Sequence, residues 1–360
     1  MHMADALLSP AVGGAMWAVS AGTIAYCSAK VRAELDDSKI PLMGVLGAFI
    51  FAAQMINFTI PVTGSSGHLG GGLILAILLG PYAAFLTIAS VLMVQALFFA
   101  DGGLLALGCN IFNLGFFPAF IAYPLLYKKI IGAQPTATRI SVAAMIAAIA
   151  GLQMGAFGVV LETIVSGVSS LPFSTFVVMM QPIHLAIGIV EGLVTASVVS
   201  FVYKARPEIM QSALNARPIG NHPVRKIVLA FLAAAVVTGG IISLLASENP
   251  DGLEWAIAKV TGHNELKEPE NALHGSLKVL QEKIAILPDY SLKKPAEATK
   301  DKLQPEAVQN HPSAKPETKS ETPKNPAGTT VSGLAGGAIT LGLAFLIGFI
   351  LKRRNQNGTS

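Results

Sequence analysis

Two histidines in this chain stand where a transition metal could be held. The sequence begins MHMADALLSP, placing His2 directly behind the initiator methionine. The α-amine of Met1, the deprotonated amide nitrogen of His2 and Nδ1 of its ring would close a five-membered and a six-membered chelate ring on one ion. Those three nitrogens lie in one plane and leave a fourth corner vacant. Ni(II) and Cu(II) favour such a tetragonal site, whereas Zn(II) prefers a tetrahedron. A histidine at position three would let one chain end fill all four corners; with histidine at position two, another imidazole has to come from elsewhere. His68, in VTGSSGHLGGG, is the candidate. An exposed terminal histidine and an unrelated loop histidine would look the same in sequence.

Such a chelate needs a retained amino end. The first ten residues contain no Lys or Arg and one acid, Asp5. A secretory signal would open on basic residues and run through an apolar core to a small-residue cleavage site, so the segment is expected to stay.

Other polar residues fall within apolar stretches. Gln95, Asp101, Asn110 and Asn113 gather around the connection between the fourth and fifth apolar runs, and Asn110 and Asn113 share a helix face. They could take the remaining ring N–H groups of His2 and His68, which metal-bound histidines require. They could equally make ordinary interhelical hydrogen bonds. His184 and Glu191, seven apart on the seventh run, would line a release route or pair with each other as buried structural groups. Glu162 reads as interfacial. Gly14, Ala18 and Gly22 form a small-residue stripe suited to internal packing or to a partner helix.

These residues need a membrane scaffold to position them. The composition is 52% hydrophobic and 13% charged, which fits an all-α polytopic membrane protein rather than a soluble fold. Apolar runs near 11–29, 40–60, 69–80, 82–100, 104–127, 139–162, 183–203, 227–246 and 333–351 are mostly long enough to cross roughly 30 Å of hydrocarbon. The third is short and glycine-rich. Fourteen Lys and Arg flank alternate ends of these runs, while the short connections on the other side carry none. That asymmetry puts the C-terminus in the cytoplasm and the N-terminus, with His2, outside. The net charge of +4 sums these flanks and implies no nucleic-acid partner. Cys27 and Cys109 read as packing residues.

The organisation expected is a seven-helix core at residues 1–204, a polar cytoplasmic link at 205–226 and a flexibly attached two-span accessory unit at 227–354. The unit's extracytoplasmic loop, 247–332, opens on a short helix capped by Asn249 or Asp251. Its Lys-, Glu- and Pro-rich stretch 293–330 is expected to be disordered.

MHMADALLSP, GSSGHLGGG, QALFFADGGLLALGCNIFNLGFFPAF and HLAIGIVEGLVT together resemble the CbiM/NikM family over most of residues 1–204. Members are substrate-capture (S) components of energy-coupling factor (ECF) transporters for nickel and cobalt. PDGLE at Pro250–Glu254, with the closing span, is similar to the accessory N component fused to some of them. The resemblance implies that Met1, His2 and His68 hold the ion. It further implies Ni(II), or Co(II) for cobalamin synthesis, as transported substrate with no organic cofactor. The implied partners are a transmembrane coupling (T/Q-type) subunit and cytoplasmic ATPase (A/O-type) subunits, in a bacterial or archaeal cell membrane. Ala6 departs from the glycine expected there.

The chain has no phosphate loop of the G-x-x-x-x-G-K-[ST] type and no H-E-x-x-H, so no ATPase or zinc-protease chemistry, and no other catalysis, is expected of it. A proton-driven metal exchanger using His184 and Glu191 is the rival from another class. A membrane metal sensor acting through the 247–332 loop is a further one.

Overall fold

A computed structural model describes residues 2–34, 38–132, 134–169, 171–220, 223–262, 266, 272–292 and 326–356. The protein is an all-α, multi-pass membrane protein. Six helices among the described residues are long and apolar enough to cross a membrane: Pro81–Phe99, Leu107–Ile131, Ala137–Ser166, Phe173–Ala205, Arg225–Leu245 and Ala327–Arg353.

Three of the nine expected runs fall short of that standard. Helix α1 (Pro10–Glu34) is long but is built largely of small residues and ends in charge. Helix α2 (Lys39–Gln54) has 16 residues and buries a polar group at each end. The third run contains only α3 (Gly72–Leu79), an eight-residue helix with every residue buried. At about 1.5 Å per residue it is far too short to span alone. Gly71 (φ 76°) and Gly80 (φ 83°) bracket it, and left-handed backbone there ends the helix on both sides. Ahead of α3, strands β1 (Phe58–Ile60) and β2 (Ser65–Gly67) pair antiparallel, Phe58 opposite Gly67.

Helix α4 (Pro81–Phe99) starts on proline and leads into the Ala100–Ala106 connection. Then α5 (Leu107–Ile111) widens into a π-helix over Phe112–Tyr127, and α6 (Lys128–Ile131) closes the run. Pro118 and Pro124 lie within the π segment. Proline lacks the N–H for a regular turn and crowds the preceding carbonyl, which the wider winding accommodates. Helix α7 (Ala137–Ser166) begins on Thr136, whose side chain accepts the Arg139 N–H, and ends on Gly167 at φ 63°. It packs along α8 (Phe173–Ala205), which is followed by α9 (Pro207–Asn215) at the end of the bundle remote from the chain start.

The accessory part is α10 (Arg225–Gly240), α11 (Gly252–Thr261), α12 (Ala272–Ile284) and α13 (Pro326–Gln356). It is not loosely attached. Both α10 and α13 pack against α2, and Gly333 meets the backbone of Gly239 where α10 and α13 cross. Small residues permit such close approach between apolar helices. Of the stretch expected to be disordered, 293–325 lies outside the described residues. Residues 326–330 instead open α13, where Thr330 donates to the Gly240 carbonyl at 3.0 Å. The Gly14–Ala18–Gly22 stripe is exposed, with open space beside Gly14 and Gly22, so it does not pack internally.

Candidate metal site

The chain start is threaded into the bundle. Met3, Leu7 and Leu8 are fully buried, and Asp5–Leu7 forms one tight turn before α1. Asn110 grips this segment from both sides of one residue: its Oδ1 accepts the Met3 N–H (2.8 Å) and its Nδ2 donates to the Met3 carbonyl (3.3 Å). The Gly103 N–H donates to the same carbonyl (2.9 Å), and the Ala106 N–H to Asp5 Oδ1 (2.9 Å). A side chain at Gly103 would collide with Asp5. Met1 lies outside the described residues.

His2 and His68, 66 positions apart in sequence, come together here. Their rings are nearly parallel, 10° between planes, with centroids 4.9 Å apart. Two imidazoles on adjacent corners of one square, each about 2 Å from the ion, would put their centroids roughly 4–5 Å apart. Burial holds both rings below the ordinary histidine pKa, His2 despite the pull of Asp101 and His68 further still, so both rest neutral at pH 7.

His2 Nδ1 faces Asp101 Oδ1 at 3.2 Å, while Nε2 has no hydrogen-bond partner among the described residues. This differs from the sequence expectation, in which Nδ1 chelates and Nε2–H meets the acceptor. His68 Nδ1 donates to the Leu69 carbonyl at 3.0 Å. Gln95 sits beside His2, with both of its amide atoms unpartnered among the described residues.

The loop after His68 is anchored to the walls. Gln54 Nε2 donates to the Gly70 carbonyl at 2.8 Å, and Glu191 accepts the N–H groups of Gly70 (2.6 Å) and Gly71 (3.1 Å). Glu191 and His184 therefore do not pair with each other. His184 Nδ1 instead donates to Met180, one turn back on its own helix (2.8 Å). Asn113 takes the other role left open for it, an interhelical hydrogen bond: it donates to the buried Glu162 at 2.7 Å. That contact also makes Glu162 a core residue rather than an interfacial one.

The accessory helices supply contacts that the sequence reading missed. Asp251, one of the two caps expected, does cap α11 with a reciprocal Glu254 bond; what was not foreseen is that its backbone bridges to Ser66. The Ser66 N–H donates to the Pro250 carbonyl (2.7 Å), and Trp255 Nε1 to the Thr63 carbonyl (2.9 Å). On the other flank, His274 Nε2 donates to the Asp5 and Leu8 carbonyls, both at 3.1 Å. Gln281 Nε2 donates to Ala96 (2.9 Å) and Gly102 (2.8 Å), and the Tyr290 hydroxyl donates to Asp101 Oδ2. Among the described residues no three His, Cys, Asp or Glu side chains gather to hold a metal.

Residues 2–209 match the family model described as the cobalt uptake substrate-specific transmembrane region, CbiM, and residues 225–353 match the PDGLE domain. The chain belongs to the CbiM family. The CbiM region is 39% identical over 212 residues to a putative metal transport protein of Haloquadratum walsbyi, covering 58% of this chain and 93% of that one. Both parts extend into a putative fused nickel transport protein, NikMN, of Archaeoglobus fulgidus, 32% identical over 295 residues, 81% of this chain and 88% of the relative. A cobalt transport protein CbiM of Geobacter sulfurreducens is 28% identical over 288 residues, 76% of this chain and 81% of that one. The crystal structure of a truncated transition metal transporter superposes with TM-score 0.51 at 28% identity, covering 57% of this chain and 99% of that chain. This CbiM-type chain with its PDGLE domain is a metal-uptake component, a transport protein rather than an enzyme.

Proposed function

We propose that the chain is the capture subunit of an ECF-type importer, and that it takes Ni(II) from outside the cell into a planar four-nitrogen site. The ligands are the Met1 amine, the His2 amide nitrogen and Nδ1, and a ring nitrogen of His68. The N-terminus faces out, a transmembrane coupling subunit docks on the chain, and partner ATPases drive release to the cytoplasm. Nickel is favoured over cobalt because a deprotonated amide in a planar set suits it.

The observation that carries this reading is the convergence of two buried, neutral imidazoles, 66 positions apart in the CbiM region, at adjacent-corner spacing. The position of His2 Nδ1 against Asp101 is reconciled by a half-turn of the ring about Cβ–Cγ. That turn moves Nδ1 off Asp101 and brings Nε2, which now lacks a partner, to where the carbon beside Nδ1 stood. Asp101 then receives the Nε2–H of the metal-bound ring, the arrangement that fixes a ligating histidine.

His2→Ala and His68→Ala should each abolish nickel uptake in cells carrying the partner subunits, while membrane insertion persists. A few residues added ahead of Met1 should do the same. Normal nickel accumulation by His2→Ala would overturn the assignment.

A further inference from the structure

Asp101 is partly exposed, with a side-chain accessibility of 26%, on a connection whose neighbours Ala100 (φ 54°) and Gly102 (φ 81°) both take left-handed backbone. A carboxylate so placed, beside an imidazole, would ordinarily compete for a bound cation. Here both of its oxygens are engaged, Oδ1 by His2 and Oδ2 by the Tyr290 hydroxyl. Tyr290 belongs to the PDGLE domain, 189 positions away in sequence.

The segment that delivers Tyr290 is unusually constrained. Ile286 and Leu287 N–H groups both donate to the Phe98 carbonyl, at 3.0 and 3.1 Å. The Tyr290 ring stacks on Phe99 (5.0 Å, 19°) and meets the edge of Phe51 at 6.4 Å. Asp289 (φ 50°) and Tyr290 (φ 58°) take successive left-handed conformations that non-glycine residues seldom adopt, and such strain persists only where surroundings enforce it. Burial and the adjacent Asp101 push the Tyr290 phenol well above its ordinary pKa, so it remains a proton donor.

We propose that Tyr290 is a positioning residue for His2: acting through Asp101, it aims the carboxylate at the imidazole and keeps it off the ion, so that the PDGLE domain helps set an all-nitrogen ligand field. This rests on the reading of His2 as a ligand. Loss of the phenol would free Oδ2 for the metal and shift the site towards mixed N,O coordination.

The test uses the purified full chain with Ni(II) alone, in competition with a chelator and by visible absorption. Tyr290→Phe keeps the ring stack and removes one hydroxyl. It should weaken nickel binding roughly tenfold, as loss of a partner behind a metal ligand does, and shift the ligand-field band, with little change in thermal unfolding of the metal-free protein. In the Asp101→Asn background it should add nothing further. Wild-type affinity and spectrum in Tyr290→Phe would overturn the proposal, as would full additivity with Asp101→Asn or weaker binding with an unshifted band. His2→Ala in the same assay separates the two levels: nickel bound there with an unchanged spectrum refutes the site itself, whatever Tyr290→Phe does.

Discussion

Glu191 accepts the backbone N–H of Gly70 at 2.6 Å and that of Gly71 at 3.1 Å, two and three residues past His68. A buried carboxylate on α8 thus holds the turn that delivers the second imidazole. Glu191→Ala would leave two buried N–H groups without acceptors, at about 1–3 kcal/mol each. We predict a loss of about 2–6 kcal/mol in stability, read by thermal unfolding in detergent, together with weaker nickel binding. Glu191→Gln, which keeps one acceptor, should fall between. A proton-exchanging transporter predicts the reverse: normal binding and stability with abolished transport.

His274 reaches from α12 to the carbonyls of Asp5 and Leu8. His274→Ala should free the chain start at a cost of about 1 kcal/mol, hence a five- to tenfold loss of nickel affinity. Hydrogen exchange at residues 3–9 should quicken while that of the Ser65–Gly71 loop stays unchanged. His274→Gln, retaining a donor, should restore part of both.

Gly103 and Gly14 make a contrasting pair. A methyl group at Gly103 would strike Asp5, whereas one at Gly14 would meet nothing within 4 Å. Gly103→Ala is predicted to displace the terminal segment and to abolish high-affinity nickel binding in a protein that still inserts. Gly14→Leu and Gly22→Leu should leave binding by the purified chain untouched. If the exposed stripe receives the coupling subunit, the same two changes reduce uptake in cells.

Proton release reports the ligand set. Burial keeps His2 and His68 below the ordinary histidine value, so at pH 7 neither ring has a proton to lose on binding. Only the amine, with a reference pKa of about 7.7–8, and the amide then release protons, about two per ion. Calorimetry in buffers of different ionisation enthalpy gives the count. Because the rings' pKa values are lowered, their competition with metal should set in only below pH 6.5. A count of three or more at pH 7 would show that the rings are protonated before binding.

Much of the candidate site was legible because its groups lie in short, unusual local patterns. A histidine at position two and another in a glycine-rich turn announce themselves in sequence. Asp101 and Asn110 stood out as polar groups in apolar surroundings, and both lie where they can act on the terminal segment. Asn113 was read from helical spacing, which gives a residue's face and not its neighbour; of the two roles open to it, the one formed is the interhelical bond, to Glu162. The pairing of His184 with Glu191 was inferred from one helix alone, whereas Glu191 is satisfied by backbone from the loop opposite. His274, Gln281 and Tyr290 carried no signal. Each sits in an ordinary polar stretch, and its partner is more than 175 positions away. Nor could composition show that α13 packs on α2, since apolar helices read alike whether they face lipid or protein.

The central claim is tested most directly by nickel X-ray absorption spectroscopy on the purified, nickel-loaded full chain. A four-coordinate planar ion is expected, bound by nitrogen alone, with outer scattering from two imidazoles that falls to one in His68→Ala. A six-coordinate ion with oxygen ligands, or imidazole scattering unchanged in His68→Ala, would contradict it.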